Sequence, residues 1–335
     1  EYNWTFTPTD PTNYTTDTGS ITLAVVEDTV KSIAVTKAPD KTTYTYGESL
    51  DITGMVVTAT CESGKTKDVT KEVTVTPETL TTSVTALTIS YGGKTTTQAI
   101  TVNPKAVNNP TITLSDYSFE FTGEAITPTV VSVMDGETEI PASEYTVSYS
   151  GNTNVGEATV TITDKAGGNY TVSGSTTFEI TKVKATVTKA PTANTLTYTG
   201  QPQVLVTAGT ATGGEMQYST EENGTYDTAI PTGTNVGSYS VWYKVAGDKN
   251  HSDTQPVEVK VTISQASIAE ATVSLSQDTF TYNGQRQTPT VTVTLGDTPL
   301  TESDYTVTYS GNCIDAGTYT VTVTGKGNYS GTAAS

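Results

Sequence analysis

Apolar and polar residues alternate with a period of two through most of the chain. The clearest stretch runs from Glu144 to Tyr170. Tyr145, Val147 and Tyr149 fall on one face and Thr146 and Ser148 on the other, which predicts a half-buried β-strand. Ser150-Gly151-Asn152 breaks the run. Asn154-Val155-Gly156 restarts it, and Ala158, Val160 and Ile162 predict a second strand. Gly168-Asn169-Tyr170 closes the unit. Nearly the same text returns from Asp304 to Tyr329, so the stretch is a repeated module. No segment sustains helical periodicity, and two helical turns are the most expected anywhere.

The same pattern divides the chain. Residues 1–27 read as the second half of a module, because Asn13-Tyr14 matches Asn169-Tyr170. That alignment puts Tyr2, Trp4 and Phe6 on the inward face of one strand and Ile21, Leu23 and Val25 on a closing strand. We read the chain as an excised segment of a longer protein. A half-sandwich leaves apolar side chains and strand edges uncovered, so residues 1–27 are expected to dock on the next domain or pair with a neighbouring molecule. Residues 31–104 form a different unit, with Met55, Val57 and Ala59 in phase and a Gly92-Gly93 hairpin. Residues 110–181 are the first complete copy of the module, and residues 185–263 a divergent relative with Asn250-His251 in place of Asn-Tyr. Residues 270–335 are a further copy that stops short of the closing strand at Thr176–Ile180. Its sheet is expected to lack that edge strand or to pair it between molecules, through residues 326–335. The joints Glu27–Lys31, Asn103–Asn109, Lys182–Lys184 and Ser264–Glu270 are short, which predicts an elongated, semi-rigid rod on the order of 130 Å.

Two resemblances sharpen this picture. Lys41–Thr60 (K-T-T-Y-T-Y-G-E-S-L-D-I-T-G-M-V-V-T-A-T) and Ile89–Thr95 (I-S-Y-G-G-K-T) resemble the bacterial immunoglobulin-like (Ig-like) domain of group 3. The module itself resembles the YGX/YDG-type repeats of secreted and cell-surface proteins of Gram-positive gut bacteria. Gly123 and Gly284 match the first glycine of that pattern, and Gly156 and Gly317 the later one. Glu144 departs from the Asp of those repeats, a change expected to be harmless. The resemblances imply an all-β fold of tandem immunoglobulin-like β-sandwiches at the bacterial cell surface. They imply a non-catalytic stalk or adhesin segment that spaces or presents another domain. A module binding an extracellular ligand, a glycan or a host protein, is the alternative, and an accessory region of a carbohydrate-active enzyme is the third.

Composition agrees with a strand-rich chain. Apolar residues make up 34% of the 335 and charged residues 16%, and Thr and Ser fill the difference. The net charge of −18 argues against nucleic acid and anionic membrane surfaces as partners. No apolar run is long enough to span a bilayer, so no membrane insertion is expected in this segment.

Candidate chemistry is sparse. His251 is the single imidazole and aligns with Tyr170 and Tyr329, which predicts a structural role at a strand end. Zinc is excluded by the scarcity of Cys and His, and the acidic groups Asp164, Asp248 with Asp253, and Asp135 with Glu137 and Glu139 lack calcium-loop spacing. No cofactor and no catalytic residue is expected. Cys61 continues the in-phase set of Met55, Val57 and Ala59 and is expected to be buried, whereas Cys313 sits in a turn and is expected to be exposed. Most aromatics fall in the inward phase, among them Trp4, Tyr145, Tyr149, Tyr239, Tyr243, Tyr305 and Tyr309. Trp242 lies out of phase between Val241 and Tyr243 and is the candidate surface contact. The turn that changes most between copies carries Asn152 and Asn154 in one and Asn312 and Asp315 in the other, so a ligand-specific surface of the module is sought there first.

Overall fold

The structure is a computed structural model that describes residues 1–334. The expected unit 270–335 and the expected pairing segment 326–335 both end on Ser335, which lies outside the described residues. The fold is all-β, and the single helical element among the described residues is a 3-10 turn, Ala142–Glu144. The chain divides into two compact units. One comprises Glu1–Asp116, Pro128–Ser150 and Thr159–Thr177; the other comprises Tyr117–Thr127, Gly151–Ala158 and the chain from Phe178 onward.

The first unit opens on a two-stranded ribbon, Tyr2–Phe6 against Asp17–Ile21. A sandwich follows. Val30–Lys37, Val56–Cys61 and Thr66–Asp68 form one sheet, and Thr74–Thr76, Ala86–Tyr91 and Lys94–Ala99 form the other. The inward phase of each sheet supplies its core, with Val57, Leu87 and Ile89 fully buried. Gly92 and Gly93 turn the Tyr91/Lys94 hairpin with φ of +56° and +74°, a conformation that glycine adopts without a Cβ clash. Beyond this sandwich the unit holds the antiparallel set Thr111–Leu114, Val130–Asp135 and Thr138–Glu139, and the strand Tyr145–Ser150 paired along Thr159–Asp164. Val133, Val160 and Ile162 are fully buried there.

In the second unit Ser118–Glu120 runs parallel to the end of the strand Tyr170–Thr181, and Phe119 meets Phe178 edge to face at 5.5 Å. The next sheet has the order Leu196–Thr197, Val257–Ser264, Gly237–Gly247, Gly214–Ser219. Its core of Val241, Val261 and Ile263 packs against Leu205 and Val206 of the facing ladders. A final pair of sheets follows: Thr272–Leu275, Val291–Leu295 and Thr298–Pro299, facing Tyr305–Tyr309, Val321–Gly325 and Thr332–Ala334. Val293 and Val323 meet in its core.

Phase alone misjudged several positions. Trp4, Tyr2 and Phe6 are 44%, 68% and 54% exposed, because no second sheet covers the ribbon among the described residues. Trp4 instead lies across its cross-strand partner Gly19, whose missing side chain leaves room for the indole. Val147 is exposed and Tyr145 and Tyr149 only half-buried, since Tyr145–Ser150 is an edge strand. The cysteines exchange places. Cys61 is half-buried, because its strand ends there at the turn to Lys65. Cys313 is buried, because the turn folds it inward at φ +55° and its carbonyl accepts the Gln287 N–H at 2.9 Å.

Candidate functional site

The recurrent Asn–aromatic dipeptide does not simply end a strand. It joins one repeat to the repeat before it, and the same arrangement occurs within the first unit and twice within the second. In the first unit the carboxamide oxygen of Asn169 accepts the backbone N–H of Thr82 at 3.0 Å. The Thr82 hydroxyl donates to the Gly167 and Gly168 carbonyls. Tyr170 meets Tyr46 edge to face at 5.2 Å. Lys105–Val107 lies parallel to Tyr170–Val172, with Lys105 N–H donating to the Asn169 carbonyl at 2.9 Å.

In the second unit Asn250 takes the place of Asn169. Its oxygen accepts the Val155 N–H at 3.0 Å, and its Nδ2 donates to Asn154 Oδ1 at 3.0 Å. His251 meets Phe121 edge to face at 5.3 Å, so the imidazole does the packing that a tyrosine ring does elsewhere. Val183–Lys184 runs parallel to His251–Ser252. Further along, Asn328 accepts the Val236 N–H at 3.0 Å, Tyr329 meets Tyr198 at 5.3 Å, and Ala266–Ser267 runs parallel to Tyr329–Ser330. Three of the four short joints read from the sequence thus hold strands with hydrogen-bonded partners, Lys105–Val107, Val183–Lys184 and Ala266–Ser267.

Local turns hold each asparagine in place. Glu144 accepts the Asn169 backbone N–H at 2.6 Å and its side-chain amide at 3.2 Å, so the departure from Asp has a positioning role. The shorter Asp304 at the equivalent position caps Thr301 instead. Asp248 accepts the Asn250 N–H at 2.8 Å and contacts His251 Nδ1 at 2.7 Å. These contacts, His251 first, hold its carboxyl below the ordinary value of 3.8. Burial raises the phenols of Tyr170 and Tyr329 above 10.0, as expected where a ring edge is taken from water.

The candidate residues chosen from the sequence separate into two places. Trp242 lies half-buried on the outward face of its sheet, between buried Val241 and Tyr243, with Ser219 and Glu258 opposite it on the flanking strands. Asn152 and Asn154 belong to a joint. Asn152 Nδ2 donates to the Ile126 carbonyl, and Asn154 bonds Asn250. Asn312 and Asp315 occupy the corresponding turn of the last repeat, where Asn312 bonds Asp315 and accepts the Tyr319 hydroxyl. Asn169, Asn250, Asn328 and their aromatic partners were missed as interaction residues, although their recurrence was visible. Among the described residues no group of three His, Cys, Asp or Glu side chains could hold a metal ion. Asp135 pairs with Lys105 and Asp253 with Lys244.

Residues 37–102 match the family of bacterial Ig-like domains, group 3. No curated protein matches the chain. Among solved structures, the chain is similar to Sidekick-1 immunoglobulin domains 1–5, at 12% identity over 90% of this chain and 80% of that one, with a TM-score of 0.28. It is also similar to protocadherin gamma B7 extracellular cadherin domains 1–4, at 11% identity over 75% and 81%, with a TM-score of 0.23. The all-β sandwiches and the family match describe a chain of tandem Ig-like domains.

Proposed function

We propose that this chain is a non-catalytic stalk or adhesin segment of an extracellular protein at the surface of a Gram-positive bacterium, where it spaces or presents another domain. The observation that carries the reading is the joint. A spacer must resist bending, and at three joints the Asn–aromatic clamp ties the repeats on either side by backbone, side-chain and ring contacts. Threonine-rich outer faces, such as Thr146 across from Thr163, suit a chain held in water for its whole length. The resemblance of the module to surface repeats supports the setting.

Small-angle scattering on the full chain tests the stalk reading. A compact globule of this length has a radius of gyration of about 20 Å, and a stalk is expected to give roughly twice that. A value near the globular one removes the reading. Glycan binding is the second reading, favoured by the outward Trp242 on a polar sheet face. A specific hit on a glycan or mucin array that Trp242→Ala abolishes would favour it over the stalk.

A further inference from the structure

In three repeats a strand near the chain's entry lies beside the strand by which the chain leaves, and the two run in the same direction. Thr43–Thr45 pairs in parallel with Thr101–Asn103, Ser118–Glu120 with Glu179–Thr181, and Leu196–Thr197 with Ile263–Ser264. The joints repeat the geometry. Lys105–Val107, Val183–Lys184 and Ala266–Ser267 each lie parallel to a strand segment that begins on the aromatic residue of the clamp. Ladders inside the sheets are antiparallel, as Gly237–Tyr243 against Val257–Ile263 shows. Direction matters once the chain is under tension. A pull on the two ends of a repeat draws its entering strand one way and its leaving strand the other. Neighbouring parallel strands have those pulled ends at opposite ends of their shared ladder. They must slide along each other, so the hydrogen bonds between them are strained together and the ladder breaks as a whole. An antiparallel hairpin pulled at its two free ends peels open one bond at a time.

The bonds of these ladders are well formed and shielded. In the bacterial Ig-like domain, Thr101 N–H donates to the Thr42 carbonyl at 2.9 Å and Tyr46 N–H to the Asn103 carbonyl at 2.8 Å. Between them Tyr44 and Val102 stand opposite each other, and both are buried. The Tyr44 hydroxyl donates to the Asp51 carbonyl at 2.8 Å, which pins the entering strand further. In the next repeat Glu179 N–H donates to the Tyr117 carbonyl and Phe121 N–H to the Thr181 carbonyl, both at 2.9 Å. Thr181 Oγ1 adds a bond to the Phe119 carbonyl at 3.1 Å. Ile180, opposite Phe119, is fully buried. Burial at the centre of each ladder keeps water from replacing the bonds as they stretch. In the repeat after that, the leaving strand Val257–Ser264 is held on both edges, by Leu196–Thr197 on one and Gly237–Tyr243 on the other.

We propose that these ladders make the chain a tension-carrying element, in which a repeat holds a pull in shear and opens only when its entry–exit ladder fails. The joint ladders place the same resistance between repeats, so a pull does not first draw out slack there. The proposal rests on the stalk reading for its setting and adds what such a stalk does, which is to keep a presented domain attached under flow or traction.

Single-molecule pulling on the full chain, between handles at its two ends, tests this. At constant force the repeats are expected to open one at a time in discrete steps. Thr181→Val removes the bond to Phe119 and leaves the backbone unchanged, and Thr101→Pro removes one ladder donor at an exposed residue. Each is expected to shorten the life of one step roughly tenfold at fixed force, because forced opening follows the unfolding barrier. Thr181→Val alone decides where the proline variant does not fold. Tyr218→Phe is the control. The Tyr218 hydroxyl accepts the Gly209 N–H at 3.1 Å, away from the entry–exit ladder. Its loss is expected to lower stability in denaturant without shortening any step, since that bond is still made when the ladder breaks. Equal effects of Tyr218→Phe and Thr181→Val on the steps overturn the proposal, as does gradual extension of the wild-type chain without steps. Small-angle scattering separates this from the stalk reading. A globular radius with long-lived steps removes the stalk and keeps the ladders, whereas an extended chain that opens without steps removes the ladders alone.

Discussion

Asn250 Oδ1 sits 3.0 Å from the backbone nitrogen of Val155, although 95 residues separate the two. Because the N–H can only donate, the carboxamide oxygen must face it, and Nδ2 is then aimed at Asn154 Oδ1. Asn250 is one of the few buried polar side chains in the molecule. Removing it leaves a donor and an acceptor without their partners, which costs more than the bonds contribute on balance. Asn250→Ala is therefore expected to destabilise its repeat by about 1–3 kcal/mol in denaturant unfolding. Asn328→Ala is expected to cost less, about 1 kcal/mol, because that side chain is only half-buried and its second bond is 3.4 Å long. Equal losses at the two sites would show that the clamp is not what distinguishes them.

The same joint carries a pH dependence. Asp248 is held below its ordinary value of 3.8, chiefly by His251 and then by the Asn250 N–H. A carboxyl whose folded value is depressed stabilises the fold above its unfolded value and loses that contribution as pH falls through the folded one. Amide exchange at Asn250 and Val155 is therefore expected to accelerate as pH drops below about 4, beyond the intrinsic trend. The increment is small, because Asp248 is half exposed to solvent. In Asp248→Asn it should vanish, and its persistence there would assign the effect to another group.

The two best-matched modules offer an internal comparison. Tyr149 donates its hydroxyl to the Pro128 carbonyl at 2.7 Å, and the equivalent Tyr309 donates to Pro289 at 3.3 Å. Tyr→Phe removes the hydroxyl and keeps the ring. Tyr149→Phe is expected to cost about 1 kcal/mol, and Tyr309→Phe measurably less, in chemical unfolding. The reverse order would mean that desolvation of the phenol, not the bond, sets the balance.

Much of this fold was legible because a strand's side chains alternate strictly and one face is dry. Met55, Val57 and Ala59 are all buried, as are Ala158, Val160 and Ile162. Phase says which way a side chain points but not whether anything covers it. That is why Val147 on an edge strand, Trp4 on a lone ribbon and Cys61 at a strand end came out exposed or half-buried. The joint was harder to read. Asn13-Tyr14, Asn169-Tyr170, Asn250-His251 and Asn328-Tyr329 were visible as a repeated pair. The last three take as partners the backbone N–H groups of Thr82, Val155 and Val236; Val155 and Val236 stand in the same Asn-Val-Gly sequence, whereas Thr82 lies in an unrelated Thr-Thr-Ser stretch. The Asn-Val-Gly turn and the Asn–aromatic pair each recur in the sequence, but a backbone donor does not name its acceptor, so both recurrences marked an alignment and hid the contact between them.

Gly213 shows how tightly one joint is built. Its φ is +78°, and a Cβ placed there would collide with the His251 ring. Its carbonyl accepts the Asp248 N–H at 3.0 Å, so the glycine braces the turn that presents Asn250. Gly213→Ala meets two penalties, a left-handed backbone angle that disfavours a side chain and a displaced imidazole. A loss of about 1–3 kcal/mol is expected. Its distinguishing mark is local. The His251 ring signals in NMR should shift away from those of an imidazole packed on Phe121, while the signals of Tyr329 on Tyr198 stay in place. Adding His251→Ala opens room for the new methyl, so the second change should cost less in the Gly213→Ala background than in the wild type. Additive losses in that double-mutant cycle would show that the glycine serves the backbone angle alone.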